Sequence, residues 1–435
     1  MAGGGALVVA GARTAEARGR SGVGGRVQLR VPWPLGAVDP HRLDDGCAAL
    51  FGSALFDTLY VAEEAGYRAS LAEGPPEVLA GELRVRLRQG LITASGRPLV
   101  AGDVVASIAR ARAAGAHAWL ADLQPPRKLD DLTVAFTATR EAGLLRALSS
   151  PLCAVVPAGF RPEAPDGTGP MRALLRRDGL TLVRNVHAAR GPSLLGEVAA
   201  YFAPDLASSL RAFESGTDEI GWLGAGLHEP RAGSVPFDAG CMGWAVLRTG
   251  AMAGVWDAPG TAQRLCDGIS PATLSHLALG AAWETESDQG WGGPPADLLV
   301  RADAPWLVEL AGAVAATLSR PGHEVTARPC AAAAFVQQRA ARSYALAIDL
   351  VRPLFQDADG ALASLASSSD MALALDVLRH PPRLRKGTVR SLTRTLRVGV
   401  LGDLRAKGAR RAELVLPSMP EGGIDWSGAS LARPR

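Results

Sequence analysis

Nine tryptophans against four tyrosines are the first residues in this chain with a chemical meaning. Indole offers a flat apolar wall and a single N–H donor, which suits the lining of a ligand cleft. Trp33, Trp222, Trp244 and Trp256 stand at or beside expected strand ends and boundary loops. Asp359 falls in an expected late loop, where a carboxylate can meet a ligand's amino group. Position and residue type therefore make Trp33, Trp222, Trp244 and Asp359 the candidate ligand-binding residues. The competing reading is core packing for each indole and a plain loop acid for Asp359.

Groups for catalysis are not assembled. No G-x-S-x-G elbow is present, so the usual cue for a hydrolase serine is missing. His228-Glu229 and His323-Glu324 lack the second histidine of a helical zinc site. Lys386 and Lys407 each precede Gly and follow no phosphate-binding loop. Gly221, Gly224 and Gly226 are wrongly spaced for a dinucleotide turn, and Pro230 interrupts any helix after them. The five cysteines, Cys47, Cys153, Cys241, Cys266 and Cys330, have no CxxC spacing and read as buried thiols. No enzyme, metal or cofactor is expected.

Bulk properties agree with a binding role. The chain has 435 residues, enough for more than one lobe, and 48% of them are hydrophobic. Net charge is only +3, which argues against nucleic acid as partner. The basic stretch Arg383–Arg411 has no interleaved aromatics for base stacking and reads as a solvated face. No apolar run reaches 18 residues. Met1–Ala17 holds an apolar stretch, Ala6–Ala10, and an A-x-A-like end, so it reads equally as an export-signal remnant or a Gly-rich tail.

Periodicity supplies the elements. Val27, Leu29 and Val31 alternate as a half-buried strand, ended by Pro32-Trp33-Pro34. Leu50, Phe51, Leu55, Phe56 and Leu59 predict a helix over Ala48–Tyr60. Leu83–Arg88 reads as a strand, and Asp103 as the N-cap of the next helix. Pro157–Pro170 and Gly224–Gly240 read as loop-rich boundaries. Later segments predict a strand at Trp244–Leu247, helices at Pro271–Leu279, Trp306–Ser319 and Ala331–Ala341, and a buried strand at Ala345–Leu350. Alternating strands and helices imply an α/β chain with mixed sheets covered by helices.

Several short motifs, in order, resemble solute-binding protein family 5, the oligopeptide, dipeptide and nickel receptors of ABC importers. Val38-Asp39-Pro40 and Leu55-Phe56-Asp57-Thr58-Leu59-Tyr60 resemble that family's opening turn and first helix. Leu83–Arg88, Gly90 and Gly96-Arg97-Pro98-Leu99 through Val105 resemble its signature, with Ile92 and Thr93-Ala94-Ser95 in place of the usual Phe and His. Gly167-Thr168-Gly169-Pro170, Arg184-Asn185 and Gly191-Pro192-Ser193-Leu194 follow in the family's sequence. Leu210–Ile220 and Trp244–Thr249 complete the likeness.

The resemblance implies a two-lobed periplasmic-binding-protein-like fold of type II, in its three-part peptide-binding variant, with an interlobe cleft. Residues 1–25 would be a tail or signal remnant. Lobe I would combine 26–48, 167–240 and 406–435. An inserted subdomain II would span 49–166, and lobe III 241–405. The implied protein is an extracytoplasmic or periplasmic monomer that binds a peptide and delivers it to a membrane permease and its ATPase. Metal chelates, sugars and opines are alternative ligands. A degenerate member without ligand, and a regulator or enzyme reusing the fold, are the competing readings.

Overall fold

A computed structural model describes residues 21–63, 66–79, 81–137, 140–222, 232–274, 277, 279, 290–355, 357–367, 371–380, 393–419 and 422–432. The export-signal reading, the 223–231 part of the second boundary and Arg385, Lys386 and Arg390 lie outside these residues, as does the end of the Pro271–Leu279 helix.

The apolar alternation at Val27, Leu29 and Val31 builds strand β1 (Arg26–Val31), with those three side chains buried. Helix α1 (Gly46–Leu55) follows, its N-cap Asp45 accepting the Ala48 N–H. The helix stops at Leu55 rather than Tyr60. Phe56 is extended, and the Gly169 N–H donates to the Leu55 carbonyl at 3.0 Å. A Cβ at Gly167 or Gly169 would sit 2.3 or 2.5 Å from the α1 carbonyls of Leu55 or Ala54, so only glycine admits this approach. Leu59 and Tyr60 stay buried, but in a second core. Thr168 and Arg190 both donate to Asp57, fastening the later turn to the end of the helix.

Residues 57–155, joined by Leu354 and Ala363, form that second core, and the segment has its own four-stranded sheet and hairpin. Its helices are α2 (Ala101–Ala113) and α3 (Glu141–Leu148). Asp103 is not the N-cap of α2: the cap is Val100, and Asp103 stands a turn inside. Its carboxylate reaches back to accept the Val100 N–H at 2.9 Å and the Ala158 N–H at 2.7 Å. A capping acid is thus displaced by three positions, a pattern a single residue type does not resolve.

The main body is a ten-stranded mixed sheet. After β1 come β2 (Met171–Arg176), β3 (Gly179–Arg184) and β4 (Glu197–Phe202). Helix α4 (Leu206–Glu214), capped by Asp205, leads into β5 (Ile220–Trp222). The long strand β6 (Ser234–Thr249) is next, then β7 (Ala296–Arg301) and helix α5 (Pro305–Leu318). Strand β8 (Val325–Cys330), helix α6 (Ala332–Ala340) and β9 (Leu346–Val351) follow. Helix α7 (Ala358–Ser367) and strand β10 (Val398–Arg411) close the body. The strand order is β8-β7-β9-β6-β10-β5-β1-β4-β3-β2.

Strands β6 and β10 join the two halves of this sheet. Their outer ends, Ser234–Asp238 and Lys407–Arg411, pair beside β5. Their inner ends, Gly243–Arg248 and Val398–Leu404, pair beside β9. Register shifts between Asp238 and Gly243 separate the two regions, and bulges of this kind bend a strand. Within this step Cys241 faces Arg405. Gly224–Gly240 is therefore not loop throughout, since Ser234 already begins β6. The partner that makes it a strand lies more than a hundred residues away, beyond any local pattern.

In the described part of the basic stretch, four arginines are paired with acids of the same chain. Arg394 pairs with Asp267, Arg397 with Asp257, Arg405 with Asp238 and Arg411 with Glu219. None of the five cysteines is in a disulfide; Cys47, Cys153 and Cys266 are buried, and Cys241 and Cys330 are half-buried. Among the described residues no helix is long and apolar enough to cross a membrane.

Candidate functional site

Parallel strands converge on one seam. β1 runs parallel to β4 and β5, and β7 runs parallel to β8 and β9. In open α/β sheets ligands bind outside the carboxyl ends of such strands. The residues after β1 (Trp33, Pro34), after β7 (Asp303) and at the end of β9 (Leu350) line one cavity, of about 270 Å³. Trp306, Arg42, Asp44 and Arg301 add two apolar-to-charged walls. A neighbouring cavity of about 260 Å³ is bounded by Arg42, Asp44, Gly115, Arg248 and Arg339. A third, of about 90 Å³, lies on the other side of α1, between Gly52, Arg190, Met242 and Arg352.

A chain of ion pairs crosses the seam. Arg42 grips Asp44 with two hydrogen bonds of 2.9 Å. Arg339 on α6 reaches Asp44 at 2.9 Å and Asp349 at 2.6 Å, and Arg248 lies 3.3 Å from Asp349. Burial pushes the Asp44 carboxyl up, but Arg42 and Arg339 outweigh it and hold it well below the usual range. The Asp349 charge raises the Arg339 guanidinium further, against burial. Neutral contacts add to these. Arg352 N–H donates to the Leu43 carbonyl at 2.7 Å, and Trp306 N–H to the Pro32 carbonyl at 3.2 Å. The Leu206 N–H, at the start of α4, donates to Glu309 on α5 at 3.2 Å.

The inserted unit is tied to the same far half. Trp119 stacks on Phe355 with centroids 5.8 Å apart, and the Arg146 guanidinium lies over both rings. Arg146 pairs with Asp357, and Arg379 with Asp122, each at 2.5 Å. Together these contacts describe a closed cleft.

The four residues expected from sequence separate. Trp33 is buried and lines the 270 Å³ cavity. Trp222 ends β5, its backbone opposite Gly408. Trp244 packs with Leu362, Leu365, Leu396 and Val398 in a separate apolar cluster. Asp359 is not in a loop: it occupies the first turn of α7, where a negative charge complements the helix dipole. The Asp357 carboxylate accepts the Gly360 N–H there, at the start of the helix. The side chains that define the seam, Arg42, Asp44, Arg301, Trp306, Arg339, Asp349 and Arg352, were not singled out by sequence. One signal was available for Asp349 and Arg352: they lie near the end of, and directly after, a fully buried strand.

No family model matches this sequence, and no curated protein matches it. Solved structures do. The chain is similar to DppA of Helicobacter pylori in complex with the peptide STSA, with TM-score 0.69 and 14% identity, covering 94% of this chain and 99% of that one. It is similar to the oligopeptide-binding protein AppA of Bacillus subtilis in complex with a nonapeptide, at TM-score 0.70 and 15% identity over 95% and 100% of the chains. The third is AgaA of A. tumefaciens R10 with agropinic acid, at TM-score 0.71 and 16% identity over 94% and 99%. The chain has the two-lobed α/β fold of the periplasmic binding proteins.

Proposed function

We propose that this protein is the substrate-binding component of an ABC importer, holding a peptide or similar small solute between its lobes for delivery to a membrane permease. The observation that carries the reading is the meeting of two sets of strand carboxyl ends across one seam, with cavities between them. The long strands β6 and β10, bulged between Asp238 and Gly243, act as the hinge. Ligand favours the closed state because it touches both lobes, so closure is a population shift. Trp33 and Trp306 supply apolar walls, and the Arg and Asp side chains beside them suit a zwitterion. The protein binds and releases; it performs no chemistry. Its working place is the extracytoplasmic side of the membrane, as a monomer.

The test is a melting-temperature screen against di- to pentapeptides and opines, together with mass spectrometry of ligand carried by protein from its native host. A ligand present at 100 times its Kd adds about 2.7 kcal/mol of stability. A concentration-dependent rise in melting temperature is expected. No shift across the panel and no carried ligand would leave a degenerate member whose seam is closed by its own ion pairs.

A further inference from the structure

Among the described residues, Arg352 is a buried cation of the seam that no acid partners directly. It is 5% exposed, and burial lowers its pKa. Its contacts are weak for a buried guanidinium: Nη1 donates to the Pro40 and Arg42 carbonyls at 3.4 and 3.2 Å. Among the described residues no carboxylate lies within ion-pair distance of it. The carboxylates that act on it from farther off are Asp45, Asp39 and Asp44. Each is already engaged. Asp39 takes two hydrogen bonds from Arg110, Asp44 takes Arg42 and Arg339, and Asp45 accepts the N–H groups of Ala48 and Asp39.

Local charge is correspondingly unbalanced. Arg42, Arg110, Arg248, Arg339 and Arg352 surround Asp39, Asp44, Asp45 and Asp349, leaving one cation in excess. Burial also pushes the Asp45 carboxyl pKa up, against its two backbone hydrogen bonds. An isolated buried charge is costly, and a guanidinium recovers most from a planar oxyanion that takes two of its N–H groups. Arg352 lines the 90 Å³ cavity. Its Nη2 lies 3.8 Å from where a Cβ would stand on Gly52, and glycine leaves that approach open. The volume is several times what one water molecule needs. Arg190, across the cavity, presents a second guanidinium paired with Asp57.

We propose that this cavity is a carboxylate subsite, with Arg352 the residue that receives the anion and Gly52 the residue that admits it. The proposal rests on the interlobe reading only for the anion's source, a carboxylate of the transported solute. A free carboxylate should bind there whether or not peptides do.

The experiment has two arms, on the full chain. In the first, melting temperature is followed against sodium acetate at constant ionic strength, with chloride as replacement, for the wild type, Arg352→Gln and Arg352→Lys. Acetate should stabilise the wild type, have little effect on Arg352→Gln, and act weakly on Arg352→Lys, which keeps the charge but not the bidentate fork. If Arg352→Gln does not fold, Arg352→Lys and density for acetate in wild-type crystals decide. In the second arm, trialanine and its C-terminal amide are titrated. The free acid should bind at least tenfold more tightly, and the difference should shrink in Arg352→Lys and vanish in Arg352→Gln. Acetate stabilisation without peptide binding keeps the subsite and removes the peptide. Equal binding of acid and amide, with no acetate effect, overturns the subsite and leaves the importer reading standing. No response in either arm overturns both.

Discussion

At the scale of single residues, the loop after β1 is held by a charge arrangement that titrates. Asp39 receives two hydrogen bonds from Arg110, at 2.7 and 2.6 Å. The same guanidinium donates to Nδ1 of His41 at 2.7 Å, so Nδ1 is an acceptor and the ring's hydrogen is on Nε2, which donates to the Ala154 carbonyl at 2.8 Å. Burial first, then Arg110, lowers the His41 pKa to about 4 from its ordinary 6.5, against the pull of the carbonyl and Asp39. The unfolded chain therefore takes up a proton in a window where the folded chain does not. Stability should fall as pH drops from 6.5 toward 4, by about 3 kcal/mol from this group alone. His41→Gln keeps the donor to Ala154 and removes the titration. In urea melts at pH 7 and 4.5, the wild type should lose about 2–3 kcal/mol more than the variant. Equal losses would mean that His41 is not held neutral.

At the scale of elements, α1 separates the 270 Å³ cavity from the 90 Å³ one, and its Gly52 is a weak point in an otherwise good helix. Glycine inside a helix costs about 1 kcal/mol relative to alanine. A methyl there meets Arg352 Nη2 at 3.8 Å and Ala48 Cβ at 4.0 Å, both ordinary contacts. Gly52→Ala should therefore raise the melting temperature while narrowing the small cavity and weakening its response to acetate. Loss of stability would show that the face of α1 is more tightly packed than these distances imply. Elements of this kind were legible in the sequence wherever a local period created them. The alternation in β1 and the apolar run of β9 are read directly from Val27–Val31 and Leu346–Val351. The end of α1 was not, because it depends on Gly169 arriving from the far end of the inserted unit. The first half of β6 was not, because β10 makes it a strand. Trp33 was visible as an indole after a strand, but Arg339 and Arg352 look like any other arginine until three distant segments place acids around them.

At the scale of the whole molecule, the balance between open and closed states depends on what crosses the seam. The surface pair Asp122–Arg379 is 68% and 51% exposed, so it contributes at most about 1 kcal/mol. The chain Arg42–Asp44–Arg339–Asp349–Arg248 is largely out of water, and Arg339 is its centre. Removing Arg339 does not strand either acid, since Asp44 keeps Arg42 and Asp349 keeps Arg248. Arg339→Gln should therefore cost only about 1–3 kcal/mol of folding stability, the range for lost hydrogen bonds to charged groups. Its effect on closure should be larger, because Arg339 joins the loop after β1 to α6 and β9 on the far half of the sheet. Small-angle scattering of ligand-free protein should give a greater radius of gyration for Arg339→Gln than for the wild type, while Asp122→Asn stays close to the wild type. Saturating ligand should bring both variants back to the wild-type value, since it supplies contacts to both lobes. An unchanged radius in Arg339→Gln would mean that apolar packing at Trp119 and Phe355, rather than the buried charges, holds the halves together.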